Sequence, residues 1–451
     1  ENFLTMSILP QLAFIAIAAT AAWFLYKRVL QIRNNILLGK KEGRNNLPSE
    51  RWKTMLLVAF GQQKMFKRFI PALMHLFIYV GFLVINLEVL EFVLDGILGT
   101  HRLFAPALGG FYTVAINLFE FLAFLVLFSC VVFLIRRNVI KVPRFSGEEM
   151  KKWPVLDANL ILVIEIVLMF AILTMNATDQ ILAVRGHESY MALGTLFFSS
   201  LLMPFFDGLQ TSTLVMVERF AWWFHIVGIL AFAVYVTYSK HLHIFLAFPN
   251  TWYSNLNSRG EIKNMPEVTK EVKLMLGLPD ENAAEDAPAE IGRFGAKDIN
   301  DLSWLNILNA YSCTECGRCT SECPANLTGK KLSPRKIMMD VRDRAEEVGK
   351  SIASGGPGLN DGKSLLGDYV TKEEINACTT CNACVEACPV NIDPLSIILQ
   401  MRRYVAMEES GSPASWNAMF QNMETSFSPW KFAPTDRFKW ADELKKSDSQ
   451  A

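Results

Sequence analysis

The chain has 451 residues, 44 Lys and Arg against 44 Asp and Glu, and a hydrophobic content of 51% that averages two unlike halves. Residues 1–247 are membrane-like and residues 257–451 read as soluble, which excludes both a wholly soluble globule and a protein made only of spans. The zero net charge conceals an uneven distribution, and no nucleic-acid partner is expected.

Five segments of the ~20 apolar residues needed to cross a hydrocarbon core lie at about 4–26, 69–94, 111–135, 155–177 and 217–240. The first has no basic run before it but Lys27 and Arg28 after it, so it reads as a retained helix with its amino terminus outside. The loop Lys27–Arg68 then carries eleven Lys/Arg against Glu42 and Glu50, and Arg136–Lys152 carries six against Glu148 and Glu149. By the positive-inside rule these loops face the cytoplasm, and so does everything after the fifth span. The stretch Leu193–Phe206 is apolar but has only 14 residues, broken by Pro204, which predicts a re-entrant or interfacial segment and not a sixth span.

Polar residues inside these spans are the first functional candidates. Glu120 on the third span and Glu165 on the fourth lie near mid-membrane, where a charge costs at least ~2.5–3.5 kcal/mol. They are candidates for proton delivery to a quinone, or for a hydrogen bond to a haem propionate or a neighbouring helix. Cys130, outside any cysteine motif, reads as packing. His75 lies on the second span, with His225, His241 and His243 on or just past the fifth. His225 and His243 are 18 residues apart, so a continuous helix would put them on one face about 27 Å apart, with His241 turned away. Histidines so placed suit axial ligation of one or two haems b, His241 being the weakest candidate. Depth alone does not choose the pairs, and Met65, His101 and His187 are weak partners for a second haem.

Beyond the spans, Asn257–Glu290 is polar, contains Pro266, Pro279 and Pro288, and includes the run Glu281–Ala287, so it reads as a linker with short helices at most. Two copies of one signature follow: Cys313-x₂-Cys316-x₂-Cys319-x₃-Cys323-Pro324 and Cys378-x₂-Cys381-x₂-Cys384-x₃-Cys388-Pro389. In this spacing three thiolates of one motif and the fourth of the other hold each cube. Cys313, Cys316, Cys319 and Cys388 should therefore hold one [4Fe–4S] cluster, and Cys378, Cys381, Cys384 and Cys323 the other. Zinc usually takes four ligands in CxxC pairs, and disulfides fit an intracellular domain poorly. Ser333–Arg342 predicts an N-capped helix with proline at its first position, Pro394 to about Met407 a second, and the Gly- and Ser-rich 351–363 a loop. The 65 residues between the first cysteines show helical patterns, which favours a helical ferredoxin domain over a β-containing one. The tail carries Trp416, Phe420, Phe427, Trp430 and Trp440.

The segment Phe294–Ile299 with Trp304 and Tyr311–Cys319 resembles the iron–sulfur part of membrane-bound heterodisulfide-reductase-like proteins, including electron-transfer-flavoprotein:menaquinone oxidoreductases. Trp222–His225 with Tyr238–His243 is similar to the last span of the cytochrome b subunit of respiratory nitrate reductase, which has five helices and two haems b. Together these similarities cover most of the chain from about residue 66 onward. The resemblance implies bis-His haem carried by His225 and His243 of the fifth span and His75 of the second. It also shows departures: the nitrate reductase cytochrome has two histidines on its second span, whereas this chain has only His75. Many family members also continue past a segment like Ser428–Trp440 into cysteine-rich CCG domains, whereas this chain reaches Ala451 without one. The aromatic tail is thus expected to dock a separate CCG-type subunit.

The expected architecture is all-α: a transmembrane haem b domain over 1–250, a linker over 251–300, a cytoplasmic dicluster ferredoxin domain over 301–410 and a docking tail over 411–451. The expected protein is a multi-pass subunit of the inner, cytoplasmic membrane. It would relay electrons between a cytoplasmic partner, a CCG-type subunit or a flavoprotein, and a quinone such as menaquinone, and so act as the quinone-reacting part of a respiratory oxidoreductase. A redox sensor or scaffold without quinone turnover is the alternative.

Overall fold

The computed structural model describes residues 8–278 and 293–442. The central linker run Glu281–Ala287, with Pro279 and Pro288, lies outside the described residues, as do residues 4–7 of the first expected span and 443–451 of the tail.

Among the described residues five helices are long and apolar enough to cross a membrane: α1 (Leu9–Ile36), α2 (Phe69–Leu98), α3 (Gly110–Asn138), α4 (Trp153–Val184) and α5 (Thr211–Val236). Proline opens α1 and α4, where its missing N–H would be unpaired in any case, and Gly99 in a left-handed conformation closes α2. Packing runs α2 on α3, α3 on α4 and α4 on α5, with α1 laid against α2 and α5. Ile85, Val126, Leu168 and Met169 interlock in the middle of the bundle around Cys130, which is fully buried there. The stretch 193–206 forms one 3-10 turn, Ser199–Leu201, and one helical turn, Met203–Phe206, so no spanning helix arises from it. Glu120 fixes this segment, its carboxylate accepting the N–H groups of Phe198 (3.1 Å) and Ser199 (3.2 Å).

The fifth span corrects one expectation. It stops at Val236, a 3-10 turn covers Lys240–Leu242, and α6 (His243–Trp252) starts anew. The cause is local: the hydroxyl of Ser239 accepts the backbone N–H of His241 (3.1 Å), so the side chain takes a donor that a continuing helix would have used. His225 and His243 therefore do not share one helix face, and the 27 Å axial spacing does not apply.

The rest of the described chain is helical, with only two isolated bridges between extended residues among the described residues. Its core helices are α7 (Trp304–Tyr311), α8 (Pro334–Ala353) and α9 (Pro394–Met407). Ser303, Ser333 and Asp393 cap their amino ends, as the Ser-Pro and Asp-Pro pairs foretell for the last two. Ile307, Ile337, Val341, Ile397 and Met401 fill the space between them, and Ile32, Ile36 and Leu242 from the membrane half enter the same core. The two halves thus share packing. A backbone clasp joins Lys40 N–H to Leu302 C=O (2.7 Å) and Trp304 N–H to Lys40 C=O (3.0 Å). Arg28 pairs with Glu346 (2.8 Å) and Arg335 with Glu149 (2.7 Å). α10 (Ala414–Ser426) carries no buried residue, and Trp416, Phe420, Phe427, Trp430 and Trp440 are all exposed.

Candidate cofactor sites

The two cysteine motifs have nearly the same backbone. The third and fifth residues of each, Glu315 and Gly317, then Thr380 and Asn382, are all left-handed. This curls the chain so that the N–H of Glu315 reaches the sulfur of Cys313 (3.4 Å) and the N–H of Thr380 that of Cys378 (3.4 Å). Cys388 likewise accepts from the N–H of Ile392 (3.3 Å). Amide donors aimed at sulfur favour the thiolate.

The grouping of the thiols crosses the motifs. Cys313, Cys316, Cys319, Cys384 and Cys388 line one cavity, and Cys319 lies in the field of Cys313, Cys316 and Cys388, with Cys384 the weakest of its neighbours. Cys384 and Cys378 in turn each lie in the field of Cys323. Burial pushes the thiols of Cys313 and Cys384 up to about 12 and that of Cys388 to about 11, with neighbouring sulfurs adding to it. Sulfurs so placed ionise only with a cation among them, which is what an iron cluster supplies. Among the described residues no three such side chains meet on a single ion. A cube is ligated at its corners, so its thiolates stand apart, and the residues present fit that group.

The histidines line a second cavity of about 420 Å³ between α2, α3, α4 and α5, within the range of cofactor pockets. His75 and His243 face each other across it with ring centres 6.3 Å apart. Two imidazoles bonded at roughly 2 Å on opposite sides of one metal bring their ring centres to roughly 6 Å. Each ring is held from behind: His75 Nδ1 by the side chain of Gln62 (3.1 Å), itself left-handed, and His243 Nδ1 by the carbonyl of Lys240 (3.2 Å). Burial draws the His243 imidazole below its ordinary value, keeping it in the neutral form that ligates a metal. His225 donates Nδ1–H to the carbonyl of Leu168 (2.9 Å), while its buried Nε2 has no partner. That is the tautomer of a ligand awaiting a metal or a hydroxyl. Phe92, not a histidine, packs edge-on to the His225 ring. His241 packs edge-on to His243, ring centres 5.5 Å apart, and against Phe232. The residues fit a haem.

Glu165 lines this cavity, whereas Glu120 does not. Glu120 is occupied by Asn176 (3.0 Å) and the 198–199 backbone. Of the weak candidates, Met65 reaches the cavity wall, while His101 and His187 gather around Tyr190 at the opposite face. Near them lies a polar lock that the sequence does not announce. Arg102 bonds Asp179 (2.6 Å) and Asn176 (2.7 Å), and Tyr112 bonds Glu91 (2.6 Å). Also missed were Gln62, whose role depends on a turn, and Arg137 and Arg144 on the cavity wall, which the sequence shows only as topology markers.

Residues 312–392 match the family model of the 4Fe-4S dicluster domain. The chain is 27% identical over 463 aligned positions to a probable iron-sulfur-binding oxidoreductase FadF of Bacillus subtilis, covering 96% of this chain and 61% of that protein. It is 28% identical to an EtfAB:quinone oxidoreductase of Syntrophomonas wolfei, covering 90% and 56%. It is also 26% identical to one component of the dihydromethanophenazine:CoB--CoM heterodisulfide reductase of Methanosarcina acetivorans, covering 32% and 35%. These relatives fit the family that the motifs resemble. The chain spans about three fifths of the length of the first two. No solved structure matches it.

Proposed function

We propose that this chain is the membrane-anchored electron-transfer part of a quinone-linked oxidoreductase, relaying electrons between a cytoplasmic partner and the membrane quinone pool through two [4Fe–4S] clusters and haem b. The general electron-transfer role agrees with the relatives, which are named oxidoreductases or reductases. The observation that carries the finer reading is one cavity with two ends. His75 and His243 stand 6.3 Å apart within it, and Cys316 lines the same cavity.

When bound, the clusters and haem supply the one-electron chemistry, and the protein supplies order, spacing and potential. Cys313, Cys316, Cys319 and Cys388 would hold the cluster nearer the haem cavity, and Cys378, Cys381, Cys384 and Cys323 the other. His75 and His243 would hold the haem. His225 lacks a facing histidine, which favours a single bis-His haem and leaves Nε2 free to accept a hydrogen bond in the same cavity. Glu165 on the cavity wall is the group available to pass a proton to a quinone. Replacing it by Gln should slow quinone turnover and alter its pH dependence, and an unaltered profile would remove Glu165 from the role. The basic loops support a cytoplasmic position for the cluster half. The uncovered aromatics of α10 and the tail support docking of a cysteine-rich CCG-type module or a flavoprotein there, because aromatic anchors dominate interface energetics.

The test is direct. Purified protein should contain about eight iron atoms in clusters and haem detectable as its pyridine haemochrome, and the reduced haem should reoxidise quickly when a menaquinone analogue is added. Haem that stays reduced would leave a sensor or scaffold in its place.

A further inference from the structure

The cavity that holds His75 and His243 ends in a cluster of positive charge. Arg136 and Arg137 sit on the last turn of α3, Arg144 follows in the connecting loop, and Arg318 enters from the first cysteine motif. All four line the cavity. The guanidinium groups of Arg137 and Arg144 sit over Phe145, at 4.6 and 4.9 Å, so this ring gathers two like charges. The Nε atoms of both are buried and without a hydrogen-bond partner, and among the described residues neither arginine forms an ion pair. Nearby carboxylates are already engaged. Glu315 is taken by Lys240 and Arg342, Asp157 by Tyr235 and the N–H of Lys240, and Glu322 by Arg68. Burial, reinforced by Arg68, Arg318 and Arg136, pulls the Arg144 guanidinium down to about 10.

Glu315 and Asp157 attract Arg137, and the Cys316 sulfur attracts Arg144, but none of them meets the two buried Nε–H donors, which are left for an anion to accept. The rest of the cavity defines the body attached to that anion. Ile78, Phe82, Val126, Ile161 and Phe232 make its wall apolar, so the occupant is a large apolar molecule with an acidic end.

We propose that Arg137 and Arg144, gathered across Phe145, bind the propionate carboxylates of the haem held by His75 and His243. The inference rests on the haem reading above and deepens it. The loop that carries Arg144 also contacts the first cysteine motif: the Arg144 carbonyl accepts from Arg335 (2.6 Å), and a Cβ on Gly317 would lie 3.0 Å from that oxygen. One short loop therefore joins the acidic edge of the haem site to the ligand loop of the nearer cluster.

The experiment uses the full chain purified from membranes, as wild type, Arg144→Gln, Arg137→Gln, the double variant and Arg144→Lys. Readouts are haem content, haem midpoint potential, haem loss to an apo-globin acceptor, and cluster content by electron paramagnetic resonance. Removing a positive charge beside the propionates favours the ferric state, so each Gln variant should lower the midpoint, and the double variant should lower it further. Haem loss should quicken roughly tenfold in the double variant, as expected for losing hydrogen bonds to charged groups. Arg144→Lys, which keeps the charge but not the planar fork, should hold the midpoint near wild type while quickening loss. Unchanged cluster signals show that the variants fold. Equal midpoints and equal haem loss in wild type and double variant overturn the clamp while leaving the haem reading intact. Stoichiometric anionic phospholipid that is lost with the arginines, at unchanged midpoint, assigns the site to a lipid and overturns it as well. Wild type without haem overturns both.

Discussion

Cys388 belongs to the second motif by sequence yet lies with Cys316 and Cys319 of the first. Cys388→Ser should therefore remove the same paramagnetic signal as Cys313→Ser and about half the iron, whereas Cys384→Ser should remove the other signal. A Cys388 variant that instead matched Cys384→Ser would refute crosswise ligation. For the haem, His75→Ala and His243→Ala should each abolish the low-spin spectrum, with His241→Ala retaining it. Retention in His75→Ala would sink the pair. A third residue gives a pH signature. Burial raises Asp340 to about 7, against the opposing pull of Lys336 at 2.7 Å. Its folded value exceeds the unfolded 3.8, so the folded state holds the proton more tightly, stability falls as pH rises from 3.8 towards 7, and the penalty is complete above that. Asp340→Asn should thus gain ~1–2 kcal/mol near pH 8 and nothing near pH 3, the full shift being discounted because Lys336 loses a partner. Melting followed by cluster bleaching reads this directly. At this scale the paired cysteine motifs were legible as a dicluster signature, because spacing is a property of the chain. The His75–His243 pair was only half legible, because it depends on Ser239 ending a helix.

Helices with proline at the first position after a capping side chain announced themselves, and Pro334–Ala353 and Pro394–Met407 begin where the Ser-Pro and Asp-Pro pairs set them. The break after Val236 did not, since an apolar run gives no warning of a side chain that captures a backbone donor. The partition of the buried glutamates was equally hidden: Glu120 clamps the 198–199 backbone, whereas Glu165 faces the cavity, a distinction set by helix rotation. Contact between elements is close at Gly39, just past the end of α1 and beside the start of α7. A Cβ there would lie 2.6 Å from the Trp304 nitrogen and 2.7 Å from the Ser303 carbonyl carbon, both backbone atoms. Gly39→Ala should destabilise the protein by ~1–3 kcal/mol and expose the 40–47 segment to protease. An unchanged melting temperature with unchanged cleavage would show that the clasp yields.

For the molecule as a whole, charge asymmetry and apolar length were enough to separate five spans from a helical cluster region, but not to show that the two share a core. The 251–300 linker said nothing of how the halves meet, whereas Ile32, Ile36 and Leu242 pack among the residues of α7, α8 and α9. The Arg28–Glu346 pair crosses this seam with Arg28 only 7% exposed. Glu346→Ala should therefore cost ~1–3 kcal/mol of docking, because buried Arg28 loses its charged partner while keeping the Thr237 carbonyl and Gln31. Faster hydrogen exchange along α8 would report it, and unaltered exchange would mean that the seam does not depend on the pair. The two cysteine groups also differ in what covers them. Arg68 bonds Ser321 and Glu322, Arg318 donates to the Lys64 carbonyl, and the Arg144 loop lies over Gly317, whereas Cys381 is exposed. Cover of this kind predicts that the Cys313 group accepts iron readily only while the halves are apart, and that the Cys381 group stays open to exchange in the folded molecule, as iron-isotope exchange into purified protein would show.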